Sequence, residues 1–156
     1  MLRLNRTVLK AAKGGVCACP AFVGCYNEGL GIVWYFNVGH TPGLARDHKG
    51  ISELASTGLP LGLFSHVIAD ASMVALESGA VLLLISRGVV EGKYKSEEFG
   101  LQRVKEVLQQ SKVESAKQLC SSVLDQVHRF MCTTPSHDDV TTLASSRHSE
   151  RKFRAM

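Results

Sequence analysis

The sequence predicts an α+β fold, with helices laid on antiparallel strands. Short apolar runs broken by turn residues fill the first part of the chain, as where Asn27-Glu28-Gly29-Leu30-Gly31 precedes Ile32–Val38. Apolar residues then recur at helical spacing, at Leu101, Val104 and Leu108 and again from Ala116 to Met131. One short apolar stretch closes the chain. Strands followed by helices, without strict alternation, exclude a doubly wound parallel sheet.

The elements follow in order. Asn5–Ala12 is a short helix, and Gly14-Gly15 ends it. Val16–Tyr26 is a strand whose Pro20 requires an edge position or a bulge. It forms a hairpin with Ile32–Val38. Asp47-His48-Lys49-Gly50 turns Gly43–Arg46 back onto Ile51–Leu54. His66–Leu76 and Ala80–Ser86 flank Glu77-Ser78-Gly79 and predict a second hairpin. Its outgoing strand is apolar on both faces and is therefore covered on both. Ala116, Leu119, Cys120, Val123, Val127, Phe130 and Met131 form the stripe of a longer helix. Ser111 and Glu114 have the spacing of a capping box at its start, and Pro135 stops it. Val140–Ala144 is the last strand.

A length of 156 residues suits one domain, and 45% hydrophobic with 21% charged residues is a globular balance. The longest apolar run, Ala80–Ile85, is far short of the roughly 20 residues that span a bilayer. Charge enters at Arg3 and Arg6, too early for a secretory signal. A soluble cytoplasmic protein is expected. The net charge of +4 is concentrated in Ser145–Met156, where Arg147, Arg151, Lys152 and Arg154 face only Glu150. The near-neutral body excludes a uniformly nucleic-acid-binding surface, and Phe153 is the single ring in the tail. Nor does the tail form an amphipathic membrane helix. Neither nucleic acid nor membrane is an expected partner. Cys17, Cys19, Cys25, Cys120 and Cys132 are odd in number and form no C-x-x-C, which argues against disulfides and a zinc site.

A series of short motifs adds to this reading. Gly39-His40-Thr41-Pro42 follows a strand, and Gly58-Leu59-Pro60-Leu61-Gly62 comes next. Glu77-Ser78-Gly79 leads into Ile85-Ser86-Arg87-Gly88-Val89-Val90-Glu91. Phe99-Gly100 opens a helix, and His137-Asp138-Asp139-Val140-Thr141 precedes the last strand. In this order the chain resembles the SpoIIE-type branch of the PPM metal-dependent protein phosphatases, relatives of the type 2C enzymes, from about Leu4 to Ala144. The resemblance implies an antiparallel β-sandwich flanked by helices in α–β–β–α layers, with a domain over 1–144 and a basic tail over 145–156. It also implies hydrolysis of phosphoserine or phosphothreonine on a regulatory protein of the anti-sigma-factor antagonist type. The cofactors implied are two Mn²⁺ or Mg²⁺ ions, which favour carboxylate oxygens and activate water.

Residue by residue, the resemblance makes Asp138 a metal ligand and Asp139 its more structural neighbour. On the residues alone, Asp138-Asp139 reads as a loop turn or a helix-to-strand cap, and only the resemblance turns Asp138 into a ligand. Where the family has Thr-Asp-Gly with a ligating aspartate, this chain has Ser86-Arg87-Gly88. A guanidinium is permanently positive and offers no lone pair to a metal. Arg87 is expected to pair with Asp138 and fill the vacant metal position. In the family another ligating aspartate and an Asp-x-Ser-Gly-His-Gly-type segment precede the first helix, whereas residues 1–16 contain no Asp or Glu. The domain is therefore expected to be N-terminally incomplete, with exposed apolar surface favouring a homo-oligomer. Weak or no turnover follows, the alternative function being a phosphatase-like binding module in bacterial regulatory signalling. His40 is expected to shape a turn rather than to act as an acid.

Overall fold

The computed structural model describes residues 1–13, 15, 17–66, 69–111, 115–132 and 138–147. Helix α1 (Leu2–Ala11) precedes six strands: β1 (Ala21–Asn27), β2 (Ile32–Val38), β3 (Gly43–Asp47), β4 (Gly50–Leu54), β5 (Ser72–Ala75) and β6 (Val81–Ile85). Next come a one-turn helix, α2 (Arg87–Val90), and a small hairpin of β7 (Lys93–Tyr94) and β8 (Glu97–Glu98). Helices α3 (Gly100–Gln110) and α4 (Ala116–Met131) follow, and β9 (Thr142–Ser146) ends the described chain.

The strands form two main antiparallel sheets, ordered β1-β2-β5 and β4-β3-β6-β9. Val33 and Tyr35 of the first sheet meet Ala45, Leu54 and Leu82 of the second in one buried cluster. The opposite face of the second sheet presents Leu44, Val81, Leu83 and Ile85 to Val104 and Leu108 of α3 and to Leu119, Val123, Val127 and Met131 of α4. Strand β6 thus serves two cores, because alternate residues point to opposite faces. This is the expected α+β arrangement of antiparallel sheets with helices.

Polar side chains join the layers. Arg46 of β3 donates to the Leu108 carbonyl and, at 2.7 Å, to that of Ser111, answering acceptors left open at the end of α3. The buried Asn5 of α1 donates to the Phe64 carbonyl at 2.9 Å and accepts from the Gly62 N–H at 2.8 Å. It ties α1 to the loop that reaches the first sheet through the Cys19–Leu61 bridge.

Four expectations need correction. The first strand begins at Ala21, after Pro20, so the proline stays outside the ladder of the edge strand β1. The last strand lies at Thr142–Ser146 rather than Val140–Ala144. Ser115 caps α4 through its side chain, accepting from the Gln118 N–H at 3.2 Å, whereas Ser111 ends α3. Glu114 and Pro135 lie outside the described residues. The predicted hairpin of His66–Leu76 with Ala80–Ser86 is not formed: β5 pairs with β2, and β6 pairs with β3 and β9. Glu77-Ser78-Gly79 instead belongs to a crossing between sheets. Leu76 and Ala80 are buried between them, and the Gly79 N–H donates to the Arg147 carbonyl at 2.7 Å.

Candidate functional site

Three segments meet where β6 ends. The first is the turn after β2. Buried Asn37 accepts the His40 N–H at 2.9 Å and donates to the carbonyls of Leu54 at 3.1 Å and Thr41 at 3.3 Å. These bonds fold Gly39-His40-Thr41-Pro42 back on itself and aim the Thr41 hydroxyl at the Ile85 carbonyl, to which it donates. The His40 Nδ1 lies 2.9 Å from the Thr41 carbonyl oxygen, so this nitrogen carries the proton and is spent within the turn. His40 shapes the turn, as the sequence led us to expect.

The second and third segments clasp each other. The Ser86 N–H donates to the Thr141 carbonyl at 2.9 Å. The Ser86 hydroxyl accepts from the Thr141 N–H at 2.9 Å and donates to the Asp139 carbonyl at 2.7 Å. Gly88 then passes so close that a Cβ there would lie 2.5 Å from the Asp139 carbonyl oxygen. Backbone and hydroxyl bonds therefore fix Asp138 and Asp139 beside the start of α2.

Arg87 lies within this clasp. Its Nη2 is 3.0 Å and its Nε 3.3 Å from the Asp138 Oδ2. The same Nε lies 3.4 Å from the Glu91 Oε2, one helical turn further on. The hydrogen bond to Asp138, followed by the charge of Glu91, raises the Arg87 pKa above its already high ordinary value. All three side chains are largely exposed to solvent, so the ion pairs set local charge more than they stabilise the fold.

The structure thus joins Arg87, Gly88, Asp138 and Asp139, with Arg87 paired to Asp138. Asp139 contributes its carbonyl to the clasp. Glu91, Ser86 and Thr41 complete the arrangement and were not singled out from sequence. An i,i+4 Arg–Glu spacing in a short amphiphilic segment was the available signal for Glu91. His137 lies outside the described residues.

The donor set does not suit a divalent cation in this arrangement. Two carboxylates, Asp138 and Glu91, converge on a guanidinium that cannot serve as a ligand. A second acidic group, Asp47 with His48 and Glu77, lies at the opposite end of β6, beside the β3–β4 turn. There the Glu77 carboxylate accepts from the Lys49 ammonium at 2.9 Å, and this bond holds its pKa below the usual carboxylate value. Asp47 Oδ1 accepts from the Lys49 and Gly50 N–H groups of the turn.

Comparison with known proteins bears on family and fold. The sequence model of the family "Stage II sporulation protein E (SpoIIE)" matches residues 1–148. No curated protein matches the chain. Among solved structures, the RsbU and RsbW domains of Rv1364c from Mycobacterium tuberculosis align at a TM-score of 0.72 and 22% identity, over 94% of this chain and 48% of that one. The manganese-presoaked phosphatase domain of the cell fate determinant SpoIIE from Bacillus subtilis aligns at 0.69 and 16% identity, over 93% and 64%. RsbX in complex with magnesium aligns at 0.61 and 12% identity, over 90% and 61%. The chain spans less than two thirds of each of these three. At such identities the likeness speaks for the fold.

Proposed function

The chain belongs to the SpoIIE family of PPM-type phosphatase domains, and on that premise we propose that it serves regulatory signalling as a phosphatase-fold module with weak or no turnover. Its partner on this reading is a phosphorylated regulatory protein of the anti-sigma-factor antagonist type. The joining of an RsbU domain to an RsbW domain in the Mycobacterium tuberculosis relative supports a regulatory partner. The observation that carries reduced turnover is the Arg87–Asp138 pair at 3.0 Å.

Phosphoester hydrolysis needs a water made nucleophilic and a positive field on the phosphoryl oxygens. In relatives bound to magnesium or soaked with manganese, such ions can supply both. Here the Asp138 carboxylate faces a guanidinium, which leaves it poorly poised to take a proton from water. Arg87 contributes one fixed positive charge, offset by Asp138 and Glu91. The module keeps the shape of a phosphatase while its central acid is engaged.

The second reading is a working phosphatase using Mn²⁺ or Mg²⁺, which family membership favours. Phosphate release from p-nitrophenyl phosphate and from a phosphoserine peptide, with Mn²⁺ present, separates the two. The proposal expects release no greater than that of Asp138→Ala. Metal-dependent release lost in that variant supports the phosphatase. One domain that runs through β9, followed by a basic tail, and a cytoplasmic setting complete the proposal. Among the described residues no helix is long and apolar enough to cross a membrane.

A further inference from the structure

Two features of the clasp have separate physical origins. Asp138 is carried to the start of α2 by bonds that involve no charge, from Ser86 to Asp139 and Thr141, and by the close passage of Gly88. Glu91 is brought to the same place by the turn of α2, four residues after Arg87. The two carboxylates thus meet at Arg87, which lies between them. Its Nε lies within 3.4 Å of an oxygen of each. Without that charge Asp138 and Glu91 lose the cation they share.

We infer that Arg87 closes this site to Mn²⁺ and Mg²⁺: its guanidinium holds the Asp138 and Glu91 carboxylates at the place a divalent cation would need, and replacing it relieves the block. This rests on the proposed reading only for the class of ion, which follows the manganese and magnesium of the relatives. Closure is a matter of charge, so a lysine at the position keeps it. An acidic residue there both removes the blocking charge and adds an oxygen donor, the ligand type that hard divalent cations take.

Isothermal titration of the full chain with Mn²⁺ alone tests the inference. The parent and Arg87→Lys are expected to give no saturable heat. Arg87→Asp is expected to gain a saturable heat that is lost in the double variant Arg87→Asp/Asp138→Ala. Arg87→Gln, close in length and uncharged, serves as the second opening variant and is expected to bind more weakly than Arg87→Asp. Circular dichroism melts establish that each variant is folded. Saturable Mn²⁺ binding by the parent that Asp138→Ala abolishes overturns the inference, as does absence of binding by both folded opening variants. Such binding by the parent without phosphate release would leave the proposed function standing, so the two fail separately.

Discussion

At Gly88 an added methyl group would lie 2.5 Å from the Asp139 carbonyl oxygen and 3.0 Å from that of Asp138, both backbone atoms that cannot swing aside. Gly88→Ala is therefore expected to cost about 1–3 kcal/mol, the range for forcing an extra carbon into a packed place. Urea unfolding followed by circular dichroism measures it, and an unchanged midpoint would show that the clasp yields easily. Residue-level legibility divides along the same line. The pairing of Arg87 with Asp138 was legible through the family resemblance, which sets the two positions side by side, because a guanidinium opposite an aspartate has one favourable outcome. The part played by Glu91 could not, because it depends on α2 existing. A helix of four residues is too short to leave a hydrophobic period. The hydroxyls of Ser86 and Thr41 were equally silent, since their bonds reach residues 53 and 44 positions away.

Among elements, β6 contributes side chains to both cores, as does β3 beside it. Leu83 is fully buried on the face toward α3 and α4, while Leu82 faces the first sheet. Leu83→Ala is expected to destabilise the fold by about 2–5 kcal/mol through lost burial and a residual cavity. The denaturation midpoint checks this, and a loss well below that range would mean that the helices collapse into the gap. Apolarity on both faces of this strand was legible, and so was its burial. Its partner was not. Glu77-Ser78-Gly79 between two apolar runs has the composition of a hairpin turn, yet composition says nothing about which edge each run then joins. The choice is made by distant contacts. The Arg147 N–H donates to the Ala80 carbonyl at 2.9 Å, and its guanidinium reaches the Leu76 carbonyl at 2.7 Å. That guanidinium takes the space beside Gly31, whose φ of +65° already favours glycine. Helices α3 and α4 were legible nearly to their ends, because their own stripes of Val104 and Leu108, and of Leu119 to Met131, record one buried side each.

For the whole molecule, helices laid on antiparallel strands followed from the order of elements, while the layer order came only with the family resemblance and the division of strands between two sheets with neither. The first sheet also shows what sequence could not fix. Trp34 pairs with Cys25 on one side and with Met73 on the other, so these three share a face, and all three are exposed. With neighbouring Val23 also exposed, the face is apolar and open to solvent. Such surface favours association, and we expect the apparent mass in sedimentation to rise with concentration. Trp34→Glu should shift the chain toward monomer, and a parent that stays monomeric throughout the range would remove the expectation.

The central claim is that the phosphatase fold has been kept while the acid of its site is engaged by Arg87. Phosphate release from a phosphoserine peptide with Mn²⁺, compared between the parent chain and Asp138→Ala, tests it most directly. The account predicts equal, background rates for the two. A parent rate well above background that falls to background in Asp138→Ala would contradict it.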